Sequence, residues 1–125
     1  MVMGYKKQFG QKGEDLACEY LRKNRYRIVE RNFRLRNAEI DIIGIDTSSD
    51  PQTLAFIEVK TRTSNSYGEP LEAIGYYKLQ AMNRAALYYQ MSHPHLPKLL
   101  RLDAISIRMN DLGEVLLIDL LKNIG

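Results

Sequence analysis

The stretch that decides the fold is Glu39-Ile40-Asp41-Ile42-Ile43-Gly44-Ile45, followed after a short turn by Leu54-Ala55-Phe56-Ile57-Glu58-Val59-Lys60-Thr61. Both segments are rich in β-branched or aromatic residues, which favour strands, whereas residues 47–52 have the composition of a turn. Acidic side chains stand inside both apolar runs. Burying such groups is costly unless a cation compensates their charge, so the two strands mark a candidate functional site.

Strand periodicity predicts which of these side chains lie together. Alternation places Glu39, Asp41 and Ile43 on one face of the first strand and Ile40 and Ile42 on the other. In the second strand, Glu58 and Lys60 share a face. If the two strands are hydrogen-bonded neighbours, Asp41, Glu58 and Lys60 converge, with the carboxylates close enough for one divalent cation to bridge them.

Such a set of side chains suits the hydrolysis of a phosphodiester. That reaction requires neutralised nonbridging oxygens, an activated water and a stabilised leaving oxygen. Two carboxylates can hold Mg²⁺ with positions left open, and the Lys60 ammonium can orient the water or compensate the growing charge on the phosphate. The simpler alternative is a strand edge on which Glu58 and Lys60 form a weak exposed pair, because Glu-x-Lys triplets are common by chance.

The remaining periodicities predict an α/β fold with a mixed central sheet flanked by helices. A first helix is predicted over residues 13–24, with Glu14 and Asp15 in its first turn, where the helix dipole favours acids. Pro70 suits the first turn of a second helix that runs to about residue 91 and is weakened locally by Gly75. Further strands are predicted over 26–35, 100–109 and 115–120, with a loop at 64–69 and a hairpin turn at 110–113. The order αβββαββ permits one parallel strand pair across the second helix.

Composition sets the class of protein. With 125 residues, 45% apolar and 26% charged, the chain has the composition of one globular domain spanning residues 1–125. No apolar run is long enough to cross a bilayer, and residues 1–13 lack the apolar segment of a secretory signal, so we expect a cytoplasmic protein that does not enter a membrane. The single cysteine, Cys18, excludes an intramolecular disulfide and is expected in the core.

The net charge of +3 conceals an uneven distribution. Residues 1–36 hold ten basic and four acidic side chains, whereas residues 37–125 hold eight and eleven. Between Arg22 and Arg36 six of seven cations are arginine, whose planar guanidinium binds phosphate bidentately. This segment predicts a surface that binds nucleic acid, and the alternative is a solvated edge strand protected by its cations. The candidate phosphate contacts are Arg25, Arg31, Arg34, Arg36, Arg62 and Lys78.

Two further features have structural interpretations. The tyrosines that could stack on unpaired bases are Tyr67, Tyr76, Tyr77, Tyr88 and Tyr89. Helical spacing places at least Tyr77, Tyr88 and Tyr89 partly in the core, which favours packing over base stacking. Asp103 beside Arg101 is interpreted as a structural ion pair that fixes a strand.

A family resemblance rests on these residues. Asp41 and Glu58-Val59-Lys60, in this order of elements, resemble the PD-(D/E)xK pattern of the restriction-endonuclease-like fold. Over nearly its full length the chain is similar to the YraN-like family, small bacterial proteins predicted to be nucleases related to Holliday-junction resolvases. The segments that carry the likeness are Gly10-x-x-Gly13-Glu14, Arg31-Asn32, Glu39-Ile40-Asp41, Phe56-Ile57-Glu58-Val59-Lys60-Thr61-Arg62, Tyr67-Gly68-Glu69-Pro70, Lys78 and Arg101-Leu102-Asp103. One departure is Ala38, where the family usually has glycine.

The resemblance implies an endonuclease that uses Mg²⁺ or Mn²⁺ to hydrolyse phosphodiester bonds in DNA, including branched or structured DNA. The implied catalytic residues are Asp41, Glu58 and Lys60, and the implied metal ligands are Glu14, Asp41, Glu58 and the carbonyl of Val59. Glu39, on the predicted face of Asp41, is either an auxiliary acid or a solvated strand residue. A symmetric homodimer is a further expectation. The alternatives are a nucleic-acid-binding protein that keeps the fold without turnover, and a structural partner in a larger assembly.

Overall fold

The computed structural model describes residues 2–63 and 74–125, and for residues 2–11 it describes the helical backbone alone. The predicted loop over 64–69 and the predicted helix start at Pro70 lie outside the described residues. The elements are, in chain order, α1 (Val2–Lys23), β1 (Tyr26–Leu35), β2 (Ala38–Asp46), β3 (Thr53–Thr63), α2 (Tyr76–Ser92), β4 (Leu99–Met109) and β5 (Val115–Leu121). The predicted order αβββαββ is confirmed.

The five strands form one mixed sheet in the order β1-β2-β3-β4-β5. Neighbouring strands are antiparallel except β3 and β4, which are parallel and are joined through α2. A parallel pair requires a crossover connection, because a tight turn reverses the chain direction. This architecture is consistent with the predicted restriction-endonuclease-like fold, and it places β3, the strand with the Glu-x-Lys triplet, at the centre of the sheet.

Each helix covers its own core cluster. The α1-side core contains Ala17, Cys18 and Leu21 of the helix, packed against buried strand residues that include Ile57. The α2-side core contains Met82, Ala85, Ala86 and Tyr89 of the helix, packed against strand residues that include Phe56. Successive residues of β3 therefore enter opposite clusters, as strand alternation requires. The expected burial of Cys18 is confirmed.

The start of α1 and the position of Gly75 differ from the prediction. α1 begins at Val2 rather than at Gly13, because the residues before Gly13 include good helix formers such as Lys and Gln but lack the apolar spacing on which the prediction relied. Glu14 and Asp15 consequently lie within the helix and not in its first turn. α2 begins at Tyr76, after Gly75, whose extended backbone makes it the N-cap instead of a weak point inside the helix.

A buried ionic network holds β4 against β1 and β2. Asp46 and Asp103 are fully buried, and the Arg101 guanidinium lies 2.8 Å from a carboxylate oxygen of each. Lys122 contacts Asp46 at 2.9 Å, and the Tyr26 hydroxyl donates a hydrogen bond to Asp103. Burial alone would raise the pKa of Asp46, but hydrogen bonds from Ser48, Arg101 and Lys122 hold that pKa well below its usual value. The predicted structural role of Arg101 and Asp103 is therefore confirmed.

Candidate metal centre

The alternation of β2 side chains between the two faces of the sheet is interrupted at Asp41. Ile40 packs in the α2-side core together with Ile43, whereas Ile42 packs in the α1-side core. The prediction that Ile40 and Ile42 share a face, opposite Ile43, is therefore wrong. The β2–β3 ladder ends at the pair Ile42–Ile57, and beyond it the Asp41 carboxylate accepts a 2.7 Å hydrogen bond from the backbone N–H of Val59. At this point a hydrogen bond to the Asp41 side chain takes the place of the backbone hydrogen bonds that join β2 and β3.

In the neighbouring strand β1, the alternation of side chains between the two faces of the sheet is interrupted at the same level. Arg31 reaches the acids of α1, whereas Phe33 makes an edge contact with Tyr89 of α2, so these two residues also point to opposite sides. Asn32 lies between them with a φ of 55°, a left-handed conformation that asparagine tolerates better than most residues. Because Phe33 pairs with Ile40 and Arg31 with Ile42, Asn32 stands opposite Asp41. The candidate site therefore lies where both strands depart from regular side-chain alternation, at Asn32 and Asp41.

Asp41 and Glu58 form a close pair of carboxyl groups. Burial, followed by the negative charge of Glu58, raises the pKa of Asp41 to about 7, against the opposing effect of the Val59 N–H. Glu39 raises it further. An acid with this pKa exchanges its proton for a cation readily at neutral pH, since a metal ligand must be deprotonated.

Glu58 is the most buried member of the site. Its side chain is 7% exposed, with Oε1 at 3.4 Å from the Lys60 ammonium and Oε2 at 3.6 Å from that of Lys78. Neither separation is a short, charge-assisted hydrogen bond. Oε2 makes no hydrogen bond to any described residue, although it is buried. A buried carboxylate oxygen without a hydrogen bond is costly, and a divalent cation that binds it would remove that cost. The donor set therefore fits a hard, oxygen-preferring metal ion.

Glu14 is not gathered into this pair. Its carboxylate is 14% exposed and accepts hydrogen bonds from Arg31 at 2.8 Å and from the amide of Asn32 at 3.0 Å. Within residues 2–63 and 74–125 no group of three acidic, histidine or cysteine side chains is close enough to hold a metal ion. Among the described residues Glu14 is therefore paired with Arg31 and is not brought together with Asp41 and Glu58, and its role as a metal ligand stays a prediction.

The predicted phosphate contacts separate into two groups. Arg31 is bound to both Glu14 and Asp15, and Lys78 lies against Glu58, so both are part of the framework around the site. Arg25, Arg34 and Arg36 are exposed, and Arg62 is half-buried near the end of β3. Arg34 also lies 3.5 Å from Glu39, so the predicted auxiliary acid faces an arginine on the β1–β2 hairpin.

Sequence reasoning missed the structural role of Asn32 and the contact that Lys78 makes. Asn32 contributes to the site through its left-handed backbone conformation. A single asparagine within a strand pattern gives no periodic signal that would reveal this conformation. Lys78 was expected to contact phosphate, yet the structure places its ammonium on Glu58, which is twenty residues earlier in the chain. The only available signal for this contact was that α2 is the crossover from β3 and must return across its face.

Comparison with known proteins adds the family. The profile of the uncharacterised protein family UPF0102 matches residues 13–107. This chain belongs to the UPF0102 family. A UPF0102 protein of Geobacter metallireducens is 45% identical over 103 residues, covering 82% of this chain and 81% of that protein. A UPF0102 protein of Caldicellulosiruptor saccharolyticus is 39% identical over 118 residues, covering 94% of this chain and 97% of that protein.

The matched region of the UPF0102 family contains the whole candidate centre, because residues 13–107 span Glu14, Asp41, Glu58, Lys60 and Lys78. The resemblance to the YraN-like family is confirmed by this match. Among the helices of the described residues, none combines the length and the apolar character that a membrane crossing needs.

Proposed function

We propose that this UPF0102 protein is a metal-dependent endonuclease that hydrolyses phosphodiester bonds in DNA. The observation that carries the proposal is the buried Oε2 of Glu58, which lacks a hydrogen bond and belongs to a carboxylate adjacent to Asp41. Two carboxylates beside a lysine, on adjacent strands of a central sheet, form the arrangement that the PD-(D/E)xK resemblance implies.

Asp41 and Glu58, with the carbonyl of Val59, would hold Mg²⁺ or Mn²⁺. When bound, such an ion supplies charge neutralisation for the phosphate and an acidified water. The Val59 N–H orients the Asp41 carboxylate through its 2.7 Å hydrogen bond, and burial limits competition from bulk water at Glu58. These residues offer a pre-organised anionic pair for one cation.

Two lysines supply the positive charge at the proposed site. Lys60, 24% exposed and 3.4 Å from Glu58, is positioned to orient an attacking water or to stabilise negative charge on a phosphate oxygen. Lys78, on α2, is 38% exposed and can shift from Glu58 to an incoming phosphate. The exposed arginines Arg25, Arg34 and Arg36 would contact the DNA backbone away from the reacting phosphate.

The decisive experiment compares conservative variants in a DNA cleavage assay with Mg²⁺ or Mn²⁺. Asp41→Asn, Glu58→Gln and Lys60→Met should each lower the cleavage rate at least about 100-fold, because each removes a group that acts in the reaction. The matched controls are Glu19→Gln and Lys23→Met, which make the same chemical changes in an exposed ion pair of α1 and should retain full activity. Cleavage that persists in all three site variants, or that does not require a divalent cation, would refute the assignment.

The second candidate is a nucleic-acid-binding protein without turnover. One observation favours it: Lys60 and Lys78 already compensate the charge of Glu58 without a metal ion. Such a protein would bind DNA with a steep dependence on salt, and Asp41→Asn would leave both the affinity and its salt dependence unchanged. The nuclease proposal expects Mg²⁺-dependent cleavage in addition, so the same set of variants separates the two functions.

A further inference from the structure

A cavity of about 490 Å³ lies between α2, β4 and the C-terminal residues. It opens on the surface and lies on the β4 side of α2, whereas Lys78 and Glu58 lie on the β2 side of the same helix. Its volume is within the range of small-molecule sites, about 300–1,000 Å³. No residue of the candidate metal centre lines it.

One face of α2 supplies the polar wall of this cavity. Tyr76, Gln80, Asn83 and Arg84 follow one another at helical spacing, and Asn123 approaches from the chain end. The side chains of Gln80, Asn83 and Arg84 make no hydrogen bond or ion pair with any other described residue. The floor is apolar and consists of Leu79, Leu100 and Leu102. The wall therefore offers two unengaged amides and a guanidinium above an apolar surface.

The lining of the cavity includes one exposed aromatic ring, that of Tyr76, which contacts the ring of Tyr77. Tyr76 is 69% exposed and Tyr77 is 85% exposed, and their rings meet edge to face with centroids 5.4 Å apart. The expectation that Tyr77 and Tyr88 lie partly in the core is wrong, because Tyr88 is also 57% exposed and of the three only Tyr89 is buried. Exposed neighbouring aromatic rings present flat surfaces on which a nucleobase can stack.

We propose that this cavity binds one unpaired nucleotide of the DNA substrate. The base would stack on Tyr76 above the leucine floor, and the amides of Gln80 and Asn83 would donate to and accept from its exposed edge. Arg84 would contact the adjoining phosphate. A base in a duplex is stacked on both sides and has its pairing edge occupied, so only an unpaired nucleotide can make all three contacts.

This inference rests on the proposed function and specifies its substrate. Tyr76 and Lys78 are two residues apart in the first turn of α2, so one strand can cross that turn with a phosphate near Glu58 and an unpaired nucleotide in the cavity. The preferred substrate is therefore DNA with a single-stranded gap or flap beside the phosphate that is cut.

The test measures binding without cleavage, in a Glu58→Gln background. Two labelled DNAs of equal length are compared, one fully paired and one with a short single-stranded gap that contains 2-aminopurine. We expect tighter binding of the gapped DNA and quenching of the 2-aminopurine fluorescence as the base stacks. Tyr76→Leu should weaken binding of the gapped DNA about 5- to 50-fold, abolish the quenching and leave the paired DNA within about twofold. The matched control is Tyr88→Leu, an exposed tyrosine of the same helix that does not line the cavity.

Three results would overturn the inference. The first is an equal loss of affinity for both DNAs in Tyr76→Leu, and the second is the same loss in Tyr88→Leu. The third is light scattering in which Tyr76→Leu converts a dimer to a monomer, which would assign this face to a second copy of the chain. Because binding is measured without turnover, absence of cleavage by the unmodified protein would refute the nuclease proposal alone, and loss of the preference for gapped DNA would refute the nucleotide site alone.

Discussion

Replacing Asp41 by asparagine should stabilise the protein above neutral pH. Burial and the charge of Glu58 raise the pKa of this carboxyl from 3.8 to about 7, so the native state keeps a proton that the unfolded chain releases near pH 4. Stability conferred by that proton is lost as the pH rises from about 4 to about 7. The asparagine side chain of the variant would carry no charge at any pH, and its amide oxygen can still accept the Val59 N–H.

The size of the effect follows from the same pKa. A rise from 3.8 to about 7 corresponds to about 4 kcal/mol at pH 8, as an upper limit. Lys60 and Lys78 compensate part of the repulsion by holding Glu58, so we expect a gain of about 2–4 kcal/mol in the free energy of unfolding at pH 8. At pH 5 the native carboxyl is protonated but the unfolded chain has mostly released this proton, so the gain should fall to about 1–2 kcal/mol.

Urea denaturation in EDTA at pH 5, 6, 7 and 8 measures this difference directly. Asp119→Asn, at an exposed position of β5, is the matched control and should shift stability by less than about 0.5 kcal/mol at every pH. Added Mg²⁺ should stabilise the unmodified protein at pH 8 and leave the Asp41→Asn variant unchanged, because the cation replaces the proton. A stability difference that is the same at pH 5 and pH 8 would refute the account of the Asp41 pKa.

Three further substitutions test the framework around the site. Arg101→Met should cost about 3–5 kcal/mol in urea denaturation, because it leaves two fully buried carboxylates short of their partner; a cost below about 1 kcal/mol would contradict this. Asn32→Ala should cost about 1–2 kcal/mol because its φ is 55°, whereas Asn32→Gly should recover most of the backbone part of that loss, and equal effects would argue against strain at this residue. Gly13→Ala would bring a new Cβ to 2.6 Å from Thr61 Oγ1, and thermal unfolding should show a loss of about 1–3 kcal/mol. Adding Thr61→Ala to Gly13→Ala removes that oxygen and should restore part of the stability, so strictly additive losses would exclude this contact as the cause.

Most of the fold could be predicted from local patterns. The strands were found because alternating or continuous apolar segments and turn residues lie next to one another in the chain, and the β2–β3 hairpin brings Asp41 near Glu58 by connectivity alone. The long segment between β3 and β4 predicted the parallel pair for the same topological reason. The start of α1 was missed because its first residues form a helix without an apolar stripe.

The candidate site could be predicted only as a set of residue types. Sequence identified Asp41, Glu58 and Lys60, because an acid inside an apolar strand is recognisable without any knowledge of its neighbours. It could not identify which cation compensates which acid. Arg31 was expected to bind phosphate and is instead held by Glu14, a contact between α1 and β1 that depends on how the helix docks.

The sequence by itself determined the order of elements, the mixed sheet and the two carboxylates that mark its centre, since these depend on residues close together in the chain. Three features were decided by the tertiary structure alone. They are the interrupted side-chain alternation at Asn32 and Asp41, the contact of Lys78 with Glu58 and the exposure of Tyr76 beside a cavity. Each of these depends on docking between distant segments, because electrostatic and packing energies are set by distances in space that local periodicity does not encode.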